Sequence, residues 1–196
     1  FIYRVHDLPN EEKMKDLAKL LANFNVKLKV SEETKPGEVQ KALAEMSGKP
    51  EERLVSTVAL RSLKQAVYQT ENIGHFGLAA EYYTHFTSPI RRYPDLIVHR
   101  LLHEWVSDPA MNAQKSEKLE LNLDAIAEHS SIRERAAAEA ERATVDLKKA
   151  EYMAGHIGEE FDGVISGVTA FGMFIELENG VEGLVHISSL MDDYYE

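Results

Sequence analysis

The chain changes its periodicity once, near residue 158, and this change constrains its fold more than any other feature. Residues from about 122 to 153 are rich in Ala, Glu and Arg and predict a long helix. Gly155 and Gly158 end that pattern, and apolar residues then recur with period two. The sequence therefore predicts an α+β protein with a mostly helical part, 1–157, and a strand-rich part, 158–196.

Local signals in the first part predict one short strand and several helices. Alternation predicts a strand at 2–6, and Asn10 suits the cap of a helix whose apolar residues recur at helical spacing. Two short helices are predicted to begin at Pro36 and Pro50. The polar stretch 106–118 is predicted to be a loop.

The dipeptide Ser88-Pro89 predicts a helix start, with Ser88 as the cap and Pro89 at the first helical position. Pro94 lies further along the same run and lacks a backbone donor. Two alternatives follow from this: the helix kinks at Pro94, or it starts afresh there.

The second part predicts three strands joined by glycine- and asparagine-containing turns. Their predicted ranges are 161–167, 172–177 and 181–187, and Asn179-Gly180 is the clearest turn.

The net charge of −11 is unexpected for a nucleic-acid-binding protein. Residues 159–196 contain nine acids and no Lys or Arg, which leaves 24 acids against 22 bases in residues 1–158. The first part is therefore close to neutral. The chain has no cysteine, which excludes disulfides and thiolate chemistry, and it has no apolar run long enough to predict a membrane span.

The segment 82–100 contains three arginines, two histidines and four aromatic residues around the Ser88-Pro89 turn. Arginine binds phosphate oxygens with two parallel hydrogen bonds, and aromatic rings stack on unpaired bases. This combination indicates binding of single-stranded RNA. Tyr82, Tyr83, His85 and Phe86 suit base stacking and core packing equally well. Asp95 and His99 have the spacing of metal ligands on a helix, but two ligands are too few for a site.

The same segment, Tyr82 to Arg100, closely resembles the hallmark of the RNase II/RNase R (RNB) family of 3′-to-5′ exoribonucleases. His75-Phe76-Gly77-Leu78 also matches the family pattern, and Ile73-Gly74-His75-Phe76 with the double arginine resembles bacterial RNase R more than RNase II. The resemblance implies that Arg91 contacts the RNA phosphate near the scissile bond. It also implies RNA contacts by Arg92, Tyr83 and His75.

The family has a Glu-Arg pair after the arginine-rich motif, and its glutamate lines the active site near the 3′-terminal nucleotide. The resemblance assigns this role to Glu141, which precedes Arg142 in a helix rich in Ala and Glu. From the residues alone, Glu141 also suits an ordinary charged helix face.

The family holds its catalytic Mg²⁺ ions with a cluster of aspartates. This chain has no closely spaced aspartates in such an arrangement, because Asp192-Asp193 lies in the strand-rich part. The resemblance therefore implies that the metal ligands lie upstream of Phe1, that the chain is a segment of a longer protein, and that the isolated chain is inactive.

The strand-rich part resembles the beginning of the RNA-binding domain first seen in the ribosomal protein called S-one, which is a five-stranded antiparallel barrel of the OB fold. Its RNA face has two Phe three residues apart and a His twelve residues further on. Phe171, Phe174 and His186 have this spacing and are predicted to bind RNA. About half of the barrel is present.

These resemblances imply a parent enzyme that degrades RNA processively from a 3′ end to 5′-mononucleotides with Mg²⁺. Its expected partner is single-stranded RNA. It is expected to be a monomeric cytoplasmic protein, with the ribosome or the RNA-degradation machinery as further partners. The alternative is a non-catalytic RNA-binding or scaffolding protein that keeps an RNB-like shell.

Overall fold

The computed structural model describes residues 1–31, 34–108 and 113–190. Along these residues one strand, three helices, one strand, two helices and three strands follow each other. The strands form two separate antiparallel sheets. This arrangement confirms the predicted α+β class. None of the helices in the described ranges is long and apolar enough to cross a membrane.

The chain divides into two compact units, residues 1–136 and residues 137–196, and the second is described as far as residue 190. This division falls inside the long helix. The domain boundary predicted between residues 157 and 158 marks the change from helix to strand, which is a different criterion, and it stays a prediction.

A two-stranded antiparallel sheet joins the start of the first unit to its middle. Strand β1, Tyr3–Val5, pairs with strand β2, Val67–Gln69, and Arg4 lies opposite Tyr68. β1 lies within the predicted range 2–6. β2 escapes prediction, because three residues are too few to show a period-two pattern and its partner is far away in sequence.

Three helices between the two strands share the first hydrophobic core. Their bounds are Glu11–Ala22 (α1), Pro36–Ala44 (α2) and Glu52–Ser62 (α3). Asn10 caps α1 as predicted, because its side chain accepts a hydrogen bond from the N–H of Lys13. The core buries mainly aliphatic side chains: Met14, Leu17, Leu21, Val26, Val39, Ala42, Met46, Val55, Ala59 and Phe76. Each large member contributes roughly 1.5–3 kcal/mol through burial.

Helix α4 spans Tyr93–Ser107, so the chain starts its helix afresh beside Pro94. Pro94 fits the first turn, where its missing N–H would have no partner within the helix. The alternative of one kinked helix from Ser88 is wrong, because residues 89–91 form a turn outside the helix. The cause is tertiary: the carboxylate of Asp95 accepts the N–H of Ser88.

Helix α5 spans Ala113–Ala154 and begins earlier than the helix predicted from about residue 122. Because α4 also continues to Ser107, the loop predicted over 106–118 is wrong at both ends. Residues 109–112 of that loop lie outside the described residues. Polar residues with good helix propensity form helices as readily as loops, and composition alone therefore misleads here.

The first unit has a second hydrophobic core. It is formed by Ile2, just before β1, and by residues of β2, α4 and the first part of α5. Its buried members are Ile2, Tyr68, Ile97, Val98, Leu123 and Ala127. This core fixes α4 against the small sheet and so supports the turn that precedes α4.

Three antiparallel strands form a meander in the second unit, in the order β3-β4-β5. Their bounds are Gly163–Thr169 (β3), Gly172–Leu177 (β4) and Glu182–His186 (β5). β4 has the predicted range, β3 lies two residues later than predicted, and β5 is one residue shorter at each end. The predicted turn forms: Asn179 Oδ1 accepts the N–H of Val181, and Gly180 has a φ of 76°.

Candidate active site

The turn that precedes α4 presents Arg91 to solvent. The carbonyl of Ser88 accepts hydrogen bonds from the N–H groups of Arg91 (3.2 Å) and Arg92 (3.0 Å), which closes the turn. Ile90 at the tip is fully exposed, and Arg91 is exposed beside it. Within the described part of the chain, no carboxylate pairs with Arg91. Its guanidinium is therefore available to bind a phosphate.

The neighbouring Arg92 has the opposite surroundings. Its guanidinium lies 2.9 Å from the carboxylate of Asp95 and 3.5 Å from the Thr87 hydroxyl. Asp95 is completely buried. A buried carboxylate needs such a partner, because desolvation disfavours an unpaired charge. The RNA contact expected of Arg92 stays a prediction, and in this structure its guanidinium bonds within the chain.

Asp95 and His99 both contact the backbone of the segment that precedes α4. The carboxylate of Asp95 accepts the N–H of Ser88, and Nε2 of His99 lies 2.8 Å from the carbonyl oxygen of Phe86. Among the described residues, no cluster of three or more His, Cys, Asp or Glu side chains is suited to hold a metal ion. The spacing of this pair on α4 therefore serves backbone contacts.

Aromatic side chains next to the turn are accessible. Tyr82, Tyr83, Phe86 and Tyr93 are between 36% and 67% exposed. This exposure argues against core packing for Tyr82, Tyr83 and Phe86, and their stacking on bases stays a prediction. His85 is partly buried and makes other contacts.

A chain of ring contacts runs from His6 through His75, Tyr83 and His85 to Tyr68. The centroids of successive rings lie 5.1, 5.2, 5.8 and 5.5 Å apart, and all four pairs meet edge to face. The hydroxyl of Tyr68 lies 2.8 Å from Nδ1 of His85. His75 and Tyr83, both predicted to contact RNA, are thus held in place by rings on each side.

Burial lowers the pKa of His6, His75 and His85 below the ordinary value of 6.5. The positive charges of Arg92 and Arg4 lower the pKa of His85 further. The three imidazoles are therefore mainly neutral at pH 7. The positively charged side chains of the turn itself are the arginines Arg91 and Arg92.

A second charged pair, Arg4 and Glu134, lies at Tyr68. The guanidinium of Arg4 is 2.5 Å from the carboxylate of Glu134, and its central carbon is 4.7 Å from the centre of the Tyr68 ring. Burial, followed by the charge of Glu134, raises the pKa of Tyr68. This pair cannot be predicted from local sequence, because 130 residues separate its members. One available signal was the arginine inside a short strand, which needs an anion nearby.

Glu141 lies on α5 in the second unit and is exposed. Arg91 belongs to the first unit, and the role of Glu141 beside the 3′-terminal nucleotide stays a prediction. Within the first unit, the carboxylate of Glu134 pairs with Arg4, beside the ring of Tyr68.

The second unit brings together the three residues that were predicted to bind RNA there. The rings of Phe171 and Phe174 meet edge to face, 6.3 Å between centroids. His186 pairs with Gly172, the residue after Phe171, across strands β4 and β5. Nδ1 of His186 accepts the N–H of Ser188 at 3.2 Å. Phe171 and His186 are exposed, and Phe174 is partly buried.

Two protein-family models match successive parts of the chain. The RNB domain model matches residues 1–108, and the S1 RNA binding domain model matches residues 156–196. The first match covers more than half of the chain, and the protein therefore belongs to the RNB domain family. This confirms the resemblance seen in the sequence.

Individual relatives define the branch of the family. The chain is 51% identical to ribonuclease R 1 of Lactococcus lactis over 199 residues, which is 100% of this chain and 24% of that protein. It resembles the structure of Mycoplasma genitalium RNase R in complex with ribose-methylated single-stranded RNA, with a TM-score of 0.89 and 31% identity over 98% of this chain and 31% of that one. The chain thus spans about a quarter of the curated relatives that it matches.

The fold also occurs in a protein that is not an RNase R. Yeast Ssd1, a pseudonuclease, superposes with a TM-score of 0.72 at 22% identity, covering 95% of this chain and 23% of that one. At this identity the likeness concerns the fold alone. The activity has to be argued from the side chains of the site.

Proposed function

We propose that this chain is part of a processive, Mg²⁺-dependent 3′-to-5′ exoribonuclease that hydrolyses RNA to 5′-mononucleotides. The observation that carries the proposal is the exposed Arg91, which lies in a closed turn and has no carboxylate partner among the described residues. Arg92, the next residue, is bonded to Asp95. One arginine of the pair is therefore held inside the chain, and the other is left for a ligand.

Arg91 would act on the phosphate next to the scissile bond. Negative charge builds up on the phosphoryl oxygens as the bond to the leaving nucleotide breaks, and a fixed guanidinium stabilises that charge. Removing such a donor typically raises the barrier by about 3–4 kcal/mol.

The rings beside the turn would hold the bases of the 3′ end. Tyr83 meets the rings of His75 and His85 edge to face and is 36% exposed, so a held part of its ring would be accessible to a base. Stacking of this kind contributes about 1–3 kcal/mol per base and tolerates every sequence. A processive enzyme needs such tolerance, because every base passes through the site.

The residues described here do not fit a Mg²⁺ site, since they contain no cluster of three or more suitable ligands. In this proposal the metal ligands lie in a part of the enzyme outside this chain. Asp192 and Asp193 lie outside the described residues. We expect the isolated chain to bind RNA and to be inactive in hydrolysis.

The second unit would bind the single-stranded RNA substrate. Phe171, Phe174 and His186 lie together on its sheet, and the family model that matches this region is an RNA binding domain. We propose that this sheet is the first part of an OB barrel. Glu141 remains the proposed contact of the terminal nucleotide, and the whole enzyme is proposed to act as a cytoplasmic monomer, with the ribosome or the degradation machinery as further partners.

The alternative is a non-catalytic RNA-binding or scaffolding protein. The fold is compatible with both. Arg91, which pairs with no carboxylate of the described residues, and the 51% identity to a ribonuclease R favour the enzyme.

The test is the release of mononucleotides from a 3′-tailed RNA. The complete enzyme is expected to release 5′-monophosphates with Mg²⁺ and to stop when the metal is chelated. The 196-residue chain is expected to bind the same RNA without degrading it. Binding without hydrolysis by the complete enzyme, with Mg²⁺ and with Mn²⁺, would establish the scaffolding alternative.

A further inference from the structure

Two side chains of helix α4 contact the backbone of Phe86 and of Ser88, just before the exposed Arg91. Asp95 Oδ2 accepts the N–H of Ser88 at 2.8 Å, and Nε2 of His99 lies 2.8 Å from the carbonyl oxygen of Phe86. Because a carbonyl oxygen only accepts, the His99 proton lies on Nε2. Asp95 and His99 are four residues apart, so both side chains project from the same helix face. We call these two contacts the α4 clamp.

Each residue of the α4 clamp makes a second contact that restricts it. The buried carboxylate of Asp95 also accepts a hydrogen bond from Arg92, at 2.9 Å. The imidazole of His99 stacks on the ring of Phe86, with centroids 4.0 Å apart and planes 9° from parallel. Side chains restricted in this way hold the backbone that they bond in one place.

The α4 clamp determines the position of Arg91 through Ser88. The N–H of Ser88 bonds to Asp95, and its carbonyl accepts the N–H groups of Arg91 and Arg92, so both backbone groups of Ser88 are fixed. A group that acts on a reacting phosphate has to stay within about 0.5 Å of its productive position. An exposed side chain such as that of Arg91 can meet this demand only if its backbone is held.

We propose that Asp95 and His99 are positioning residues, which act on RNA through Arg91 and Phe86 and do not contact it themselves. This inference rests on the proposed function of Arg91. It also gives a role to a pair whose spacing resembled that of metal ligands. The α4 clamp is expected to affect turnover more than substrate affinity, because it sets the orientation of a group needed in the transition state.

The test is a double-mutant cycle in the complete enzyme, with a 3′-tailed single-stranded RNA as substrate. Arg91→Ala is introduced into the unaltered enzyme, into Asp95→Asn and into His99→Phe. Asp95→Asn removes the charge and keeps an oxygen acceptor, whereas His99→Phe keeps a ring against Phe86 and removes the donor. Urea unfolding of every variant measures any loss of stability separately from turnover.

Each clamp variant is expected to lower kcat by about tenfold and to leave KM within about twofold. Arg91→Ala is expected to lower kcat/KM by about 100-fold in the unaltered enzyme, and by less than about tenfold in either clamp variant. His99→Gln can place an amide N–H near the position of Nε2. It is therefore expected to restore most of the turnover that His99→Phe loses.

Equal effects of Arg91→Ala in all three backgrounds would overturn the clamp and leave the proposed function standing. Normal turnover of Arg91→Ala in the unaltered enzyme would overturn both. If Asp95→Asn does not fold, the comparison of His99→Phe with His99→Gln still decides the matter, because both keep Asp95 and differ in the donor.

Discussion

The two units, residues 1–136 and residues 137–190, differ in how far their apolar side chains are buried. Among the described residues, every buried hydrophobic side chain lies between Ile2 and Ala127. In the second unit, by contrast, Val164, Val168 and Phe171 on or beside the sheet are at least half exposed. The first unit therefore has two hydrophobic cores. The three-stranded sheet of the second unit has exposed apolar side chains and no buried hydrophobic side chain among the described residues.

The candidate site residues of the two units also differ in how well their surroundings hold them. In the first unit, Arg92, Asp95 and His99 bond to defined partners and leave Arg91 exposed among them. In the second, the exposed Phe171 and His186 lie on a sheet surface. A site that stabilises a transition state needs the first kind of support. A surface that guides a flexible RNA strand can work with the second kind, because stacking tolerates small displacements.

The largest expected effect contrasts a core residue of the first unit with a sheet residue of the second. Leu17→Ala is expected to lower the free energy of unfolding by about 2–5 kcal/mol, because Leu17 is fully buried and its loss leaves a cavity. Ile165→Ala is the comparison, and it is expected to change the same quantity by only about 1 kcal/mol, since Ile165 is half exposed. Urea titration followed by circular dichroism measures both. Equal losses would mean that the sheet has a core comparable to that of the first unit.

The next effect concerns the sheet itself. A Cβ added at Gly172 would lie 2.3 Å from the carbonyl oxygen of Val185, which belongs to the neighbouring strand. Gly172→Ala is therefore expected to destabilise the pairing of β4 with β5 by roughly 1–3 kcal/mol. Gly183→Ala is the matched control, because a Cβ there meets nothing within 4 Å. Amide hydrogen exchange of β5 should accelerate in the first variant alone.

A smaller effect is expected for RNA binding by the second unit. Phe171→Ala is expected to weaken binding of a single-stranded oligoadenylate by about 1 kcal/mol, the lower end of the range for one stacked base. Val168→Ala is the control, since Val168 is exposed on the same sheet and has no ring. Fluorescence anisotropy of labelled RNA, at one fixed salt concentration, measures both. Identical affinities for the two variants would show that Phe171 does not contribute to RNA binding.

The smallest effect is a pH dependence that belongs to the first unit. Burial lowers the pKa of His6, His75 and His85, so the unfolded chain takes up protons more readily than the folded chain. The stabilisation is complete above the unfolded pKa of 6.5, and it is lost as pH falls through that value towards the folded pKa. The urea midpoint should therefore be lower at pH 5.5 than at pH 7.5.

A matched variant tests the origin of that pH dependence. His6→Asn keeps an acceptor for the N–H of Gly77, which bonds to Nδ1 of His6, and removes the titrating group. The variant is expected to show a smaller difference between the two midpoints than the unaltered chain. An unchanged difference would mean that His6 contributes nothing to it.

Much of the fold can be predicted from local sequence. Asn10 caps its helix, β4 has the predicted range, and Asn179-Gly180 forms the predicted turn, because each depends on a few neighbouring residues. Strand β2 cannot be predicted in this way, because only pairing with β1, more than sixty residues away, makes it a strand.

The site follows the same rule. The family resemblance identifies the arginine-rich turn from its sequence alone, and the structure shows Arg91 exposed on it. Local sequence cannot show that Asp95 accepts a hydrogen bond from the N–H of Ser88, because the two residues lie in a helix and in the turn before it. It cannot show that Glu134 pairs with Arg4 either, because these residues are far apart in the chain. The helix start expected at Ser88 is wrong because of the first of these contacts.

The central claim is that Arg91 acts on the scissile phosphate, and the rate of a single turnover tests it most directly. The complete enzyme, with saturating 3′-tailed RNA and Mg²⁺, is compared with Arg91→Ala and with Arg61→Ala, which alters an exposed arginine of α3. We predict that Arg91→Ala slows release of the first mononucleotide by roughly 100-fold or more and that Arg61→Ala leaves it unchanged. Equal rates for the two variants would contradict the account.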